Sequence, residues 1–129
     1  MKTSFFLTAF CLISLSAFLL YSKFDVNRNN TSITITENDD TYQLAAYYNA
    51  NSTGKVQRYI NSAIKPNGLF ASENDYMDIT TTLADKTDFY IKESPGKLKI
   101  AIDKRKNSYA SYLRIKKMCE GIKNVLGDK

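Results

Sequence analysis

The chain of 129 residues carries 18 Lys and Arg against 13 Asp and Glu, a net charge of +5, with two Cys and neither His nor Trp. That length fits one domain. Without His, the Ser-His-Asp and Cys-His forms of catalysis, His-based zinc sites and His pH switches are excluded.

The first element is an apolar leader. Phe5 to Tyr21 (FFLTAFCLISLSAFLLY) is broken only by small hydroxyl residues and Cys11, and Lys2 precedes it. This is the pattern of a secretory signal. Its 17 residues also reach the lower limit for a membrane-spanning helix. Residues 1–22 are therefore read as a signal peptide or an N-terminal membrane anchor, with Ser14 and Ser16 as a small-x-small cleavage site in the first case. Either way the remainder is expected to be exported, periplasmic or secreted. Lys2 on one side is matched by Lys23 and Arg28 on the other, so flanking charge does not set orientation. Cys119 is the one cysteine left outside the leader. The exported part must be held by its core rather than by a disulfide.

Residues 23–31 (KFDVNRNNT) are polar and rich in Asn and read as a flexible tether. From Ser32 the pattern alternates with period two. Ile33 and Ile35, then Tyr42, Leu44, Ala46 and Tyr48, share faces around a Glu37-Asn38-Asp39-Asp40 turn, which predicts a hairpin. Ser52 or Thr53 caps a helix carrying Val56, Tyr59, Ile60, Ala63 and Ile64 on one side, and Pro66-Asn67-Gly68 stops it. Three more strands follow. Met77, Ile79, Thr81 and Leu83 share a face, as do Phe89 and Ile91, and then Leu98, Ile100 and Ile102, with turns at Ala84-Asp85-Lys86 and Ser94-Pro95-Gly96. Keeping the apolar sets together places Asp78 opposite Lys92 and Thr80 opposite Tyr90. A type II turn at Pro95-Gly96 sets Lys92 opposite Lys99 and Asp88 opposite Asp103. A last helix runs from an Asn107 or Ser108 cap to about Leu126, with Tyr112, Ile115, Cys119, Ile122 and Leu126 on its buried stripe.

The order ββαβββα predicts an α+β domain over residues 32–129, a five-stranded antiparallel sheet with two helices on one face, preceded by the leader. No internal repeat is found.

Ser52-Thr53-Gly54-Lys55-Val56 lies between a strand and a helix, as a phosphate loop would. It lacks the first Gly, since Asn49 stands there, and the magnesium-binding hydroxyl, since Val56 stands there. No catalytic, cofactor-binding or metal-ligating residue is assigned. Asp88 and Asp103 are the one carboxylate pair that offers a hydrolase alternative. Charge is uneven: Glu37 to Gly96 holds five basic and nine acidic residues, whereas Lys97 to Lys129 holds ten basic and three acidic. The basic end, with Lys104, Arg105, Lys106, Arg114 and Lys117, suits an anionic partner or is the solvated side of a helix. Tyr47 and Tyr90 alternate onto the polar face with Lys92 and Lys99, where aromatic rings beside cations suit a protein or glycan. The same arrangement stacks nucleic-acid bases, but the glycine-aromatic signature of RNA-binding sheets is absent and the leader argues against a cytoplasmic partner.

The segments Thr53 to Ile60 (TGKVQRYI), Thr87 to Ile100 (TDFYIKESPGKLKI) and Asn107 to Leu126 (NSYASYLRIKKMCEGIKNVL) resemble small exported proteins of unknown function from Bacteroidota-type bacteria. The resemblance implies an envelope or secreted location and no activity. The sequence thus leads to a non-catalytic envelope domain that binds an unknown protein or an anionic glycan or lipid surface. Nine residues form its candidate surface: Tyr47, Tyr90, Lys92, Lys99, Lys104, Arg105, Lys106, Arg114 and Lys117. The alternatives are a membrane-anchored accessory subunit held through residues 5–21, a carboxylate-dependent hydrolase and a nucleic-acid-binding module.

Overall fold

The computed structural model describes residues 21–26, 31–70 and 76–127. The leader therefore lies outside the described residues, apart from Tyr21 and Ser22. The strands are β1 (Tyr21–Val26), β2 (Thr31–Glu37), β3 (Thr41–Tyr47), β4 (Met77–Thr82), β5 (Asp88–Ser94) and β6 (Lys97–Asp103). The helices are α1 (Thr53–Ala63) and α2 (Tyr109–Gly127). All strand pairs are antiparallel, and the sheet order is β1-β2-β3-β6-β5-β4. The expected five strands and two helices are present in the expected order, and the registers Asp78↔Lys92, Thr80↔Tyr90 and Lys92↔Lys99 are as derived from the sequence.

One expectation is corrected. The stretch read as a tether begins inside β1, which pairs with β2 from Tyr21↔Thr36 to Val26↔Thr31. Among the described residues the sheet thus starts at Tyr21 and has six strands. An unpaired β2 would present a row of backbone donors and acceptors at the sheet edge, and a polar segment that is extended can satisfy them whatever its side chains. Composition does not register that gain.

The structure also reveals a repeat that the sequence pattern hid. Thr41–Tyr47 and Lys97–Asp103 are offset by 56 residues. The same shift turns the β2–β3 register, with Thr34↔Ala45, into the β5–β6 register, with Tyr90↔Ala101. Leu44 pairs with Ile100, its own equivalent. A pseudo-two-fold axis therefore crosses the sheet between β3 and β6, and each half is a three-stranded meander followed by a helix. Because that axis is perpendicular to the sheet, both helices fall on one face. Thr31, Ile35, Glu37 and Ala45 recur as Thr87, Ile91, Glu93 and Ala101. Even the loop closures repeat: the Tyr48 N–H donates to the Gly96 carbonyl at 3.0 Å, and the Lys104 N–H donates to the Asp40 carbonyl at 2.7 Å.

The helices cover the inner face, where Ile33, Leu44, Ile91 and Ile100 from the sheet meet Val56, Ile60, Ile115 and Ile122 with no exposure. Ser108 caps α2, its Oγ accepting from the Ser111 N–H at 3.0 Å, as Ser, Thr, Asn and Asp do at helix starts. Asn107 has another use, bonding both backbone groups of Asp88 and the Asp103 carbonyl. Thr53 is turned inward, where its Oγ1 accepts from the Gly96 N–H at 3.0 Å. Cys119 lies on the buried stripe as expected, and burial pushes its thiol well above the ordinary value.

Where the helices touch, Gly121 of α2 faces Tyr59 of α1, and a Cβ at Gly121 would overlap the Tyr59 ring. Gly121→Ala gains about 1 kcal/mol of helix propensity but displaces that ring, an overpacking cost of about 1–3 kcal/mol. We expect net destabilisation in urea unfolding, and a sign reversal to about 1 kcal/mol of stabilisation when Tyr59→Ala is already present. A stabilising Gly121→Ala in the unaltered chain would mean that Tyr59 swings aside without loss.

Candidate functional site

With both helices on the inner face, the outer face of the sheet carries the alternating polar set. Two shallow hollows among the described residues lie on it, at opposite ends of β3 and β6 and both bounded by β5. One, of about 270 Å³, is lined by Ala45, Tyr47, Lys92, Ser94, Lys97 and Lys99. The other, of about 240 Å³, is lined by Gln43, Thr80, Asp88, Tyr90, Asp103 and Lys106 among others. The two hollows carry opposite chemistry, lysines in the first and aspartates in the second.

The first hollow gathers three sequence-derived candidates, Tyr47, Lys92 and Lys99, and adds Lys97. Tyr47 is 56% exposed. Lys92 and Lys99 are directly opposite across β5 and β6, while Lys97 is opposite Tyr47 across β6 and β3. Like charges facing each other destabilise a sheet, and Asp78, opposite Lys92 on the other side, is already bonded to the Tyr90 hydroxyl at 2.8 Å. The sequence reading passed over Lys97 although it shares the period-two parity of Lys99. That parity was the available signal.

The second hollow holds Tyr90 with Asp88 and Asp103. Arg105 binds Asp103 through two nitrogens, each at 3.2 Å, and these bonds hold the Asp103 carboxyl below the usual carboxylate range. Asp103 is thus an ion-pair acceptor, and the hollow is closer to charge balance than the first.

The remaining basic candidates are distributed differently. Lys104 reaches Glu37 at 2.8 Å and the Asn38 carbonyl at 2.7 Å, and sits 4.7 Å from the Tyr112 ring centre. Arg114 binds Asp85 at 2.7 Å and the Lys65 carbonyl at 3.1 Å, tying α2 to the end of α1. Both are working parts of the fold. Lys106 and Lys117 are exposed.

Beneath the sheet lies a pair of glutamates that the sequence reading did not single out. Glu93 is 0% exposed, and its oxygens accept from the Tyr48 hydroxyl at 3.0 Å and the Gln57 amide at 2.8 Å. Its equivalent Glu37 accepts from the Tyr112 hydroxyl and pairs with Lys104 and, at 3.9 Å, Lys116. Burial raises the Glu93 carboxyl above its ordinary value, and its two neutral donors do not offset this. Burial also acts on Glu37, but the Lys104 and Tyr112 bonds outweigh it and the carboxyl lies below its ordinary value. Self-comparison of the sequence at a shift of 56 would have found the pair. Among the described residues no group of three or more Cys, Asp or Glu is placed to hold a metal ion.

No family model, curated protein or solved structure matches the chain.

Proposed function

We propose that the protein is a small non-catalytic binding domain of the cell envelope, whose outer sheet face takes an anionic glycan at Tyr47, Lys92, Lys97 and Lys99. The observation that carries this reading is the Lys92↔Lys99 pair beside Lys97 and an exposed ring. Three cations are held together at a cost to the sheet that an anionic ligand removes. The hollow is open and shallow, which suits a chain lying across it, and the Tyr47 ring offers a stacking surface to a sugar. The apolar leader supports export in this reading.

The test uses the full chain in neutral detergent on a sulfated-polysaccharide resin. Retention is expected at low salt and should fall as salt screens the contact. The triple variant Lys92→Gln, Lys97→Gln, Lys99→Gln should elute with the unbound fraction. A control with the same loss of charge, Lys65→Gln, Lys106→Gln, Lys117→Gln, should elute near the unaltered protein. Equal weakening of both variants would reduce the patch to a share of net charge, and no retention of the unaltered chain would remove the glycan.

A further inference from the structure

β4 is the last strand of the sheet, paired with β5 on one side and with no described segment on the other. The Leu83 N–H donates to the Thr87 carbonyl at 2.8 Å, in the register that pairs Thr81 with Phe89 and Ile79 with Ile91. Antiparallel pairs alternate between bonded and unbonded positions, so the odd-numbered residues of β4 direct their backbone groups to β5. The N–H and carbonyl groups of Asp78, Thr80 and Thr82 therefore point outward along the edge. Such a row is a template for another strand.

Exposed edges are blunted by Lys, Pro or a bulge, and β4 has none of these: it reads MDITTT and pairs with β5 without interruption from Met77 to Thr82. The other edge strand, β1, carries Lys23 and Asp25. Ile79, Thr80, Thr81 and Thr82 are all β-branched, the type that fits extended pairing. Ile79 is 40% exposed although it lies on the inner side of the sheet opposite Ile91, and Tyr76, just before the strand, is 69% exposed. Both stand bare along this edge.

We infer that two copies of the chain join through β4, antiparallel, about a two-fold axis that passes between Ile79 and its copy. This axis sets the two Ile79 side chains against each other at an unbonded position, where facing side chains lie closest. It sets Asp78 opposite Thr80 of the other copy, both with outward backbone groups, so these positions exchange hydrogen bonds. The one charge of the strand thus faces a hydroxyl and not its like. The two Asp78 residues are diagonal neighbours about 7–8 Å apart, and each keeps the Tyr90 hydroxyl at 2.8 Å and Lys92 opposite it on β5. An axis through Thr80 would instead leave Ile79 facing Thr81 and bury less apolar surface.

Because the axis is perpendicular to the sheet, the two six-stranded sheets become one, with both outer faces on the same side. Three strand spacings put the two copies of β5 roughly 14 Å apart, so a polyanion lying across that face reaches both lysine hollows and gains avidity without a new contact. That consequence rests on the glycan reading. The dimer does not, and its mass and the polysaccharide retention are read separately.

Density-matched sedimentation equilibrium of the full chain in neutral detergent should give the mass of a dimer. Thr80→Pro should halve that mass: the proline removes an outward N–H and leaves the β4–β5 bonds in place, a position at which edge strands accept proline. Ile79→Lys should halve it too, by setting like charges opposite each other, and circular dichroism of both variants should match the unaltered chain. For the register, a Cys11→Ser chain, in which the remaining Cys119 is buried, should link into a disulfide dimer on mild oxidation when it carries Ile79→Cys. The same chain with Thr82→Cys, roughly 20 Å from its copy along the strands, should not. A monomeric unaltered chain would overturn the dimer, as would a dimer mass that survives both Thr80→Pro and Ile79→Lys. Stronger linkage through Thr82→Cys than through Ile79→Cys would overturn the register.

Discussion

Replacing Glu93 with Ala is expected to destabilise the protein by about 3 kcal/mol or more, because it leaves a cavity and two buried donors, the Tyr48 hydroxyl and the Gln57 amide, without an acceptor. Glu93→Gln should behave in the opposite way near neutral pH. The glutamine keeps the shape, accepts one bond, donates the other to the Tyr48 oxygen, and removes a charge that burial disfavours. The sign of the pH dependence follows from the raised carboxyl. Folded Glu93 binds its proton more tightly than the unfolded chain does, so the extra stability is complete below the ordinary value of 4.5. It is lost as pH rises through the folded value. Glu37 runs the other way: its folded value is lowered, so its stabilisation is complete above 4.5 and is lost as pH falls through the folded value. Urea unfolding from pH 4 to pH 8 would show the unaltered protein losing stability relative to Glu93→Gln as pH rises above about 4.5. A constant difference across that range would mean that Glu93 titrates as an ordinary exposed carboxyl.

Gly96→Ala is expected to cost about 2–4 kcal/mol, the sum of a left-handed backbone and a collision. Gly96 has φ +77°, and a Cβ there would lie 2.8 Å from the Tyr48 carbonyl oxygen. Its N–H and carbonyl are both used, to Thr53 Oγ1 and from the Tyr48 N–H. Relief by rotation would break one of these bonds. The turn also precedes Lys97, so polysaccharide retention should weaken along with stability. Thermal unfolding checks the first effect, and an unchanged midpoint would show that the turn rearranges freely.

Gly96 and Glu93 differ in whether neighbouring residues disclose their role. Gly96 could be read from Ser94-Pro95-Gly96, because a type II turn demands positive φ at a fixed position and glycine meets that demand locally. Glu93 could not. It stands at an inward position of β5, where the alternation calls for an apolar residue, and what makes it tolerable there is contributed by Tyr48 and Gln57, 45 and 36 residues away. The candidate surface divides in the same manner. Tyr47, Lys92 and Lys99 could be put on one face by parity alone, whereas Lys104 and Arg114 became structural residues through contacts with Glu37 and Asp85 that are remote in sequence.

By itself the sequence determined the period-two strands, the two helical stripes, the hairpin registers and the side of the sheet each residue occupies, since all of these follow from local geometry and from the need to bury one face. Tertiary structure alone decided that residues 21–26 join the sheet, that β3 pairs with β6, and that the two halves are related by a pseudo-two-fold. These are pairings between segments far apart in the chain, and their free energy lies in edge hydrogen bonds and shared burial that no single segment records.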